Sequence, residues 1–242
     1  MKKQDTDHCP DQIARREASE EIGLPMDDDK LPKPFRIEHL CCLPPSLART
    51  HLIVTPCVAF LHADRINPVS PVPLVEDTMI PRLDAREVAA VFSAPFYNFL
   101  KLTDLPPPPG QELPPGHWYD GSWIAWKDKP WRVHNFYVPV NNQRVAKPRR
   151  RSSVSSAAAG QANLAGKLEE EEEEGLARFK VWGMTARVLV DAARIAYGEE
   201  PEMEHNLHYG DEEIINIAHA EGSFEDEPAK PKKTGEDGPS KI

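Results

Sequence analysis

The spacing of apolar residues and helix-ending signals predicts two helices in the first 100 residues. Residues 10–23 carry good helix formers, with Pro10 suited to the first helical position and Gly23 suited to an end cap. A second, shorter helix is predicted over 84–92, ended by Pro95. Both segments are short enough to lie on the surface of a larger core.

Strands are predicted where β-branched and aromatic residues concentrate. The apolar run at 50–61 suits a buried strand, which Pro56 assigns to an edge or a bulge, and residues 36–43 form its candidate neighbour. Two further runs, 122–126 and 131–140, flank the turn sequence KDKP, and they predict an antiparallel hairpin.

Helical periodicity returns near the carboxyl end. A long helix is predicted within 179–198, and a smaller one over 211–220. Six apolar residues at helical spacing define the side of the long helix that should pack on a sheet: Met184, Val188, Leu189, Ala192, Ile195 and Ala196.

The 25 prolines of this 242-residue chain, about twice the usual share, indicate long irregular stretches. Residues 105–116 are too rich in proline for a helix or strand. Residues 143–175, a basic block followed by six glutamates, predict a disordered insertion, and 223–242 predict a disordered tail. We therefore expect one domain built from 1–142 and 176–222.

Charge and hydropathy exclude several classes of function. The net charge of -10 opposes nucleic-acid binding, because phosphate neutralisation requires a basic surface. We predict no membrane span and no secretion signal, since no long apolar run exists. Four cysteines match no zinc spacing, and we interpret them as ordinary thiols in a reducing compartment: Cys9, Cys41, Cys42 and Cys57.

The most informative residues are the acidic ones on the first predicted helix. Offsets of three and four place Glu17, Glu20 and Glu21 on one face, where like charges repel and a single Arg16 cannot neutralise them. A solvated acidic face is the simple alternative. Hard oxygen ligands on a rigid helix are also what Mg²⁺ or Mn²⁺ prefers, and such ions bridge to phosphate oxygens. This pattern indicates metal-assisted phosphoryl hydrolysis.

The order of these residues resembles a known motif. Residues 16–24, REASEEIGL, are similar to the second half of the Nudix box, R-E-U-x-E-E-x-G-U. The resemblance implies a Nudix-like α/β/α sandwich with a mixed sheet. It also implies that Glu17, Glu20 and Glu21 bind Mg²⁺ or Mn²⁺, that Arg16 orients Glu17, and that Glu17 is a candidate base.

Other segments resemble the fungal and peroxisomal coenzyme A diphosphatases within that superfamily. They are Val54–Val58, Glu87-Val88 before Phe92 and Pro95, and Trp182–Ala186. The resemblance implies a nucleotide substrate, coenzyme A or its thioesters. The diphosphate would be cleaved to a 4′-phosphopantetheine product and adenosine 3′,5′-bisphosphate, a step of coenzyme A catabolism.

One departure from the family pattern lies upstream of the motif. The leading Gly and Glu of the box fall at Lys2 and His8, although Asp5 and Asp7 resemble aspartates of the coenzyme A subgroup. We therefore expect the N-terminal strands to be missing. The alternative function is a catalytically impaired Nudix fragment that acts as a binding or interaction protein, or a truncated gene model.

Several single residues have two interpretations. Glu87 fits a capping box with Asp84, or a further catalytic glutamate as the resemblance implies. Four tryptophans around the hairpin suit sheet packing or adenine stacking: Trp118, Trp123, Trp126 and Trp131. The histidines show no metal spacing and are expected in the core or on the surface, although His134 is a candidate for lining a substrate pocket.

The carboxyl terminus, Ser240-Lys241-Ile242, differs from the peroxisomal address S-K-L in one aliphatic side chain. It predicts a peroxisomal location and an import receptor as partner. Without that signal, the chain is expected in the cytoplasm or in mitochondria.

Overall fold

The computed structural model describes residues 9–63, 75–79, 83–84, 86–141, 143, 145 and 177–224. Its α-helices are α1 (Pro10–Ile22), α2 (Val75–Thr78), α3 (Gly183–Tyr197) and α4 (Glu212–Ala220). Its strands are β1 (Phe35–Cys42), β2 (Ser46–Leu47), β3 (Ile53–Val54), β4 (Cys57–Ala63), β5 (Tyr119–Trp126), β6 (Lys129–Pro139) and β7 (Arg178–Trp182). Helices and antiparallel sheets are thus mixed along the chain, as an α/β fold requires.

The strands of the described residues form three small sheets. β1 pairs with β4, β2 pairs with β3, and β6 lies between β5 and β7. Every one of these pairings is antiparallel, so the expected mixed sheet is not seen in this part of the chain. The α/β/α sandwich remains a prediction.

α1 confirms the first predicted helix. Pro10 occupies the first turn, and Gly23 takes the left-handed conformation (φ 76°) that lets the chain leave the helix. Arg15 then fastens the following loop, since its Nε donates to the carbonyl of Pro25 at 2.6 Å. Leu24 packs against the small core of Leu31, Phe35 and Met79.

The predicted strand at 50–61 is divided in two. Pro56 separates β3 from β4, because proline cannot donate a ladder hydrogen bond. The neighbour predicted at 36–43 is confirmed as β1. The expected burial is wrong: Phe60 and Leu61 of β4 are exposed, although neighbouring side chains point to opposite faces, and in the described residues β4 pairs with β1 alone.

The prediction of a helix over 84–92 is also wrong, since the described residues of this segment form no helix. The Asp84 carboxylate accepts the backbone N–H of Arg86 at 2.9 Å, and a single turn forms instead. Such side-chain to backbone bonds compete with helix formation. Pro95 does not end a helix but precedes a 3-10 helix, Phe96–Leu100.

The predicted hairpin is confirmed. β5 and β6 meet at Lys127 and Asp128, which both have positive φ angles of 48° and 59°, as a tight hairpin turn requires. The preceding segment 105–116 is free of helix and strand, as its prolines predict. β7 adds to the other edge of β6 and leads directly into α3.

The main core lies between this three-stranded sheet, α3 and the 3-10 helix. Phe99, Trp118, Phe136 and Val138 are buried there, and the indole N–H of Trp118 donates to the carbonyl of Asn98. The packing role of the tryptophans is therefore confirmed for Trp118. Trp131 is buried in a second cluster with Leu47, Ile214 and Ala218, whereas Trp123 is 44% exposed.

The buried face of α3 differs from the prediction. Ile195 and Ala196 are exposed, while Arg187, Asp191 and Arg194 are buried with Ala186, Val190 and Ala193. These charged side chains have tertiary partners, which sequence periodicity cannot reveal, although Nε of Arg187 has no hydrogen bond. Arg187 donates to the carbonyl of Gly210 at 2.7 Å and to Asn206, and it lies 3.5 Å from Asp211.

α4 confirms the predicted helix at 211–220, with Asp211 as its N-cap residue. The other predictions near the carboxyl end fall largely outside the described residues, namely the disordered insertion (143–175), the tail (223–242) and the signal Ser240-Lys241-Ile242. None of the described helices is both long and apolar enough to cross a bilayer.

Candidate functional site

The acidic face of α1 is held together by Arg16. One guanidinium nitrogen lies 2.6 Å from Oε1 of Glu17, and the other lies 2.9 Å from Oε1 of Glu20. The hydrogen bond to Glu20 raises the pKa of Arg16, and Glu17 adds to this effect. The predicted pairing of Arg16 with these two glutamates is therefore present, on a helix surface that remains open to solvent.

Glu21 lies apart from this ion-pair cluster and is only half-exposed. Its backbone carbonyl accepts the N–H of Asp84 at 2.9 Å. This bond fastens the turn that carries Glu87 to the end of α1. Two segments that are 60 residues apart, and that both carry candidate glutamates, are thus neighbours in the fold.

Glu87 lines an open cleft of about 780 Å³, a volume within the usual range for small-molecule sites. The other walls come from the segment before β5 and from β6 and β7. Its chemically active lining residues are Glu87, His117, Tyr137, Arg178 and Lys180, with Phe92 as an aromatic wall. The three glutamates of α1 do not line this cleft.

The cleft contains an organised polar group that the sequence did not single out. The Tyr137 hydroxyl donates to Asp120 at 2.8 Å, which raises the pKa of Tyr137. Burial acts to raise the pKa of Asp120, but hydrogen bonds from Asn135 and Tyr137 outweigh it and lower this pKa. The ammonium of Lys180 lies 5.4 Å from the centre of the Tyr137 ring. In the sequence, only the alternation of polar residues along β6 and β7 could have indicated Tyr137 and Lys180.

Arg178 is a structural cation of this wall. It forms a two-pronged pair with Asp104 at 2.9 Å and donates to the carbonyls of Pro114, Pro115 and Tyr137. Its donors are engaged inside the protein, and the other basic side chains that line the cleft are Lys180 and His117, of which His117 lies 3.4 Å from Asp120.

His134 does not line the cleft, contrary to the suggestion from sequence. It is 1% exposed within the sheet, and its Nδ1 lies 3.1 Å from the Tyr119 hydroxyl. Burial, together with the positive charges of Arg132 and Arg187, lowers the pKa of His134 to about 3. This histidine is therefore neutral over the physiological range and serves the core.

The donor set of α1 fits a hard divalent cation, but its oxygens are not gathered. Among the described residues, Glu17, Glu20 and Glu21 do not bring three carboxylate oxygens within 4.8 Å of one another. The ion pairs with Arg16 use only Oε1 of Glu17 and Glu20, and Oε2 of each takes no part in them. Long, solvated side chains on one helix face can converge by rotation alone.

Comparison with known proteins adds a relative with a described activity. A protein of Saccharomyces cerevisiae named peroxisomal coenzyme A diphosphatase 1 is 28% identical over 201 residues. The chain is similar to a coenzyme A diphosphatase. This similarity confirms the predicted resemblance to the coenzyme A diphosphatases.

The similarity has a defined extent. It covers 77% of this chain and 55% of the yeast coenzyme A diphosphatase, so the chain spans about half the length of that relative. Models of protein families give no match to the chain. These comparisons assign no role to an individual residue.

Proposed function

We propose that this protein is a divalent-metal-dependent pyrophosphohydrolase of the Nudix type that cleaves coenzyme A or its thioesters. The products would be a 4′-phosphopantetheine compound and adenosine 3′,5′-bisphosphate. The observation that carries this proposal is that residues 16–22 of the motif lie on α1 and Gly23 ends the helix, with Arg16 paired to Glu20, in a chain similar to a coenzyme A diphosphatase.

The residues of α1 have distinct roles in this proposal. Glu17, Glu20 and Glu21 hold Mg²⁺ or Mn²⁺ through carboxylate oxygens, the ligands these ions prefer. When bound, the ion neutralises phosphate charge and makes water a better nucleophile. Arg16 orients Glu17 through the 2.6 Å ion pair, and this carboxylate is the candidate base that takes the proton of the attacking water.

Substrate binding is assigned to the cleft beside the Glu87 turn. Lys180 and His117 offer positive charge or hydrogen bonds to the phosphates, while Phe92 and Tyr137 offer aromatic surface to the adenine. The bond from Asp84 to Glu21 keeps this cleft next to α1. In this proposal Glu87 is a second proton acceptor or a further metal ligand. The alternative capping role has no support, since the Asp84 turn does not continue as a helix.

A second function is favoured by the exposed apolar side chains of the β1–β4 pair. Leu40 and Phe60 are each 55% exposed in the described part of the chain. Such a surface suits a protein partner. In this alternative the protein binds a partner without turnover, and the acidic face of α1 serves recognition rather than catalysis.

The location follows from the same resemblance. The yeast relative is named as peroxisomal. We propose the peroxisome for this protein as well.

Hydrolysis of coenzyme A, measured with and without a chelator, tests the proposal. We expect turnover to require Mg²⁺ or Mn²⁺ and to fall at least about 100-fold in Glu20→Gln and Glu21→Gln, because each change removes one ligand charge and keeps the side-chain volume. Glu112→Gln, an exposed glutamate far along the chain, is the matched control and should retain activity. Equal turnover in chelator, or unchanged rates in both ligand variants, would contradict the metal assignment.

A further inference from the structure

A cluster of metal-ligating side chains lies on the β1–β4 sheet, outside the acidic face of α1. His39 and Cys42 belong to β1, and Cys57 begins β4. Their ligand atoms all lie within 4.8 Å of one another. Among the described residues, no other group of three histidine, cysteine or acidic side chains meets this condition.

The distances within the cluster match a tetrahedral zinc site. The sulfurs of Cys42 and Cys57 are 3.6 Å apart, and the sulfur of Cys42 is 3.8 Å from Nε2 of His39. With Zn–S of about 2.3 Å and Zn–N of about 2.0 Å, a tetrahedron separates two sulfurs by about 3.8 Å and sulfur from nitrogen by about 3.5 Å. The side chains therefore need only small movements to bind the ion.

An irregularity of the strand brings the ligands to one face. Side chains three residues apart on a regular strand point to opposite faces, which would separate His39 from Cys42. The register of β1 shifts between His39 and Cys41, and this bulge turns both ligands to the same side. Cys42 and Cys57 are direct cross-strand partners, which supplies the third ligand without further adjustment.

The three converging side chains leave the fourth position of a tetrahedral ion to solvent, because His39 and Cys42 are exposed. Cys9, at the start of α1, is not a member of the converging group, and its thiol donates to the carboxylate of Asp11 instead.

We propose that His39, Cys42 and Cys57 form a zinc site that joins β1 to β4. Thiolate and imidazole ligands select zinc over Mg²⁺ or Mn²⁺, so this site is chemically distinct from the acidic face. The cysteines bind as thiolates and release their protons to solvent. A disulfide between Cys42 and Cys57 is the main competitor, but it would leave the convergence of His39 unexplained.

Zinc titration of the full chain, purified metal-free under reducing conditions, tests this proposal. Competition with a chromophoric chelator gives the affinity, native mass spectrometry gives the stoichiometry, and Co²⁺ substitution reports thiolate ligands by its charge-transfer absorption. We expect one zinc ion per chain, and loss of tight binding in Cys42→Ser, Cys57→Ser and His39→Gln. Cys41→Ser, which changes the adjacent thiol, is the matched control and should bind zinc normally.

The outcomes separate the alternatives. Absence of zinc uptake by the reduced chain, or equal affinity in wild type and Cys42→Ser, would overturn the proposal, as would a disulfide-bonded mass with no zinc uptake after reduction. His39 and Cys42 are exposed, so their variants should fold even if Cys57→Ser does not.

Discussion

His134 is a titratable side chain buried in the sheet, with cations rather than acids around it. Its pKa is lowered to about 3 from the usual 6.5. Between these values the unfolded chain binds a proton that the folded chain does not, so stability falls as the pH falls. We expect this residue alone to lower the free energy of unfolding by up to about 1.4 kcal/mol per pH unit below pH 6.5.

Urea unfolding of wild type and His134→Gln at pH 7.5 and pH 5 measures this effect. The wild type should lose more stability than the variant on acidification, because glutamine does not titrate. His208→Gln, at an exposed position, should follow the wild type. The same pH dependence in wild type and His134→Gln would show that His134 does not remain neutral in the fold.

Residue spacing predicted Arg16, Glu17 and Glu20 as a cluster because the helix fixes their relative positions through local geometry. Helix spacing could not predict which residues from other parts of the chain lie near this cluster. Asp84 reaches Glu21 through a tertiary hydrogen bond, and His39 meets Cys42 only because a bulge shifts the strand register. Long-range pairing and bulges leave no dependable signal in one sequence.

At the scale of elements, α3 shows how a buried ion network holds a helix in place. Arg187 is 2% exposed and is surrounded by Asn206, Gly210 and Asp211. Burial lowers its pKa, but the two nearby aspartates act in the opposite direction and favour its charge. Removing the Arg187 guanidinium would leave the buried carbonyl of Gly210, the side chain of Asn206 and the carboxylate of Asp211 without this partner.

We therefore expect Arg187→Met to lower the free energy of unfolding by about 3–5 kcal/mol, as loss of one partner of a buried pair does. Arg86→Met is the surface control, since Arg86 is 78% exposed beside Asp84, and its unfolding midpoint should match the wild type. Equal unfolding midpoints for the two variants in urea would show that the Arg187 network does not stabilise α3.

The elements that the sequence predicted well are those with local signals. α1 has its proline and glycine caps, and the β5–β6 hairpin has its turn. The helix at 84–92 failed because an aspartate turn outcompeted it. The face of α3 was assigned wrongly because apolar periodicity cannot anticipate that Arg187 and Arg194 find partners inside the fold.

At the scale of the whole molecule, the connection between β6 and β7 can be shortened. Pro139 pairs with Arg178, and the N–H of Val140 donates to the carbonyl of Ala177 at 2.8 Å, so the two strands are neighbours where the connection leaves and returns. Gln143 is still fixed there by three hydrogen bonds to Ser93. The predicted insertion can therefore be replaced after residue 145.

We expect a short Gly/Ser bridge in place of 146–176 to leave the unfolding midpoint and any hydrolysis unchanged, because that segment has little apolar side-chain content to bury. Thermal unfolding and the coenzyme A assay measure both properties. A shortened chain with Ser93→Ala serves as a comparison, since it weakens the anchor of Gln143. If the bridged chain without Ser93→Ala is much less stable than the wild type, the replaced segment packs on the domain.

The central claim is that the acidic face of α1 binds the divalent cation of a pyrophosphohydrolase. Electron paramagnetic resonance of Mn²⁺ titrated into the full chain tests it most directly, because the sharp signal of free Mn²⁺ disappears on binding. Binding should be retained in wild type, Glu112→Gln and Cys42→Ser, and weakened at least about tenfold in Glu20→Gln and Glu21→Gln. Mn²⁺ binding of equal strength in all five proteins, or no binding in the wild type, would contradict the claim.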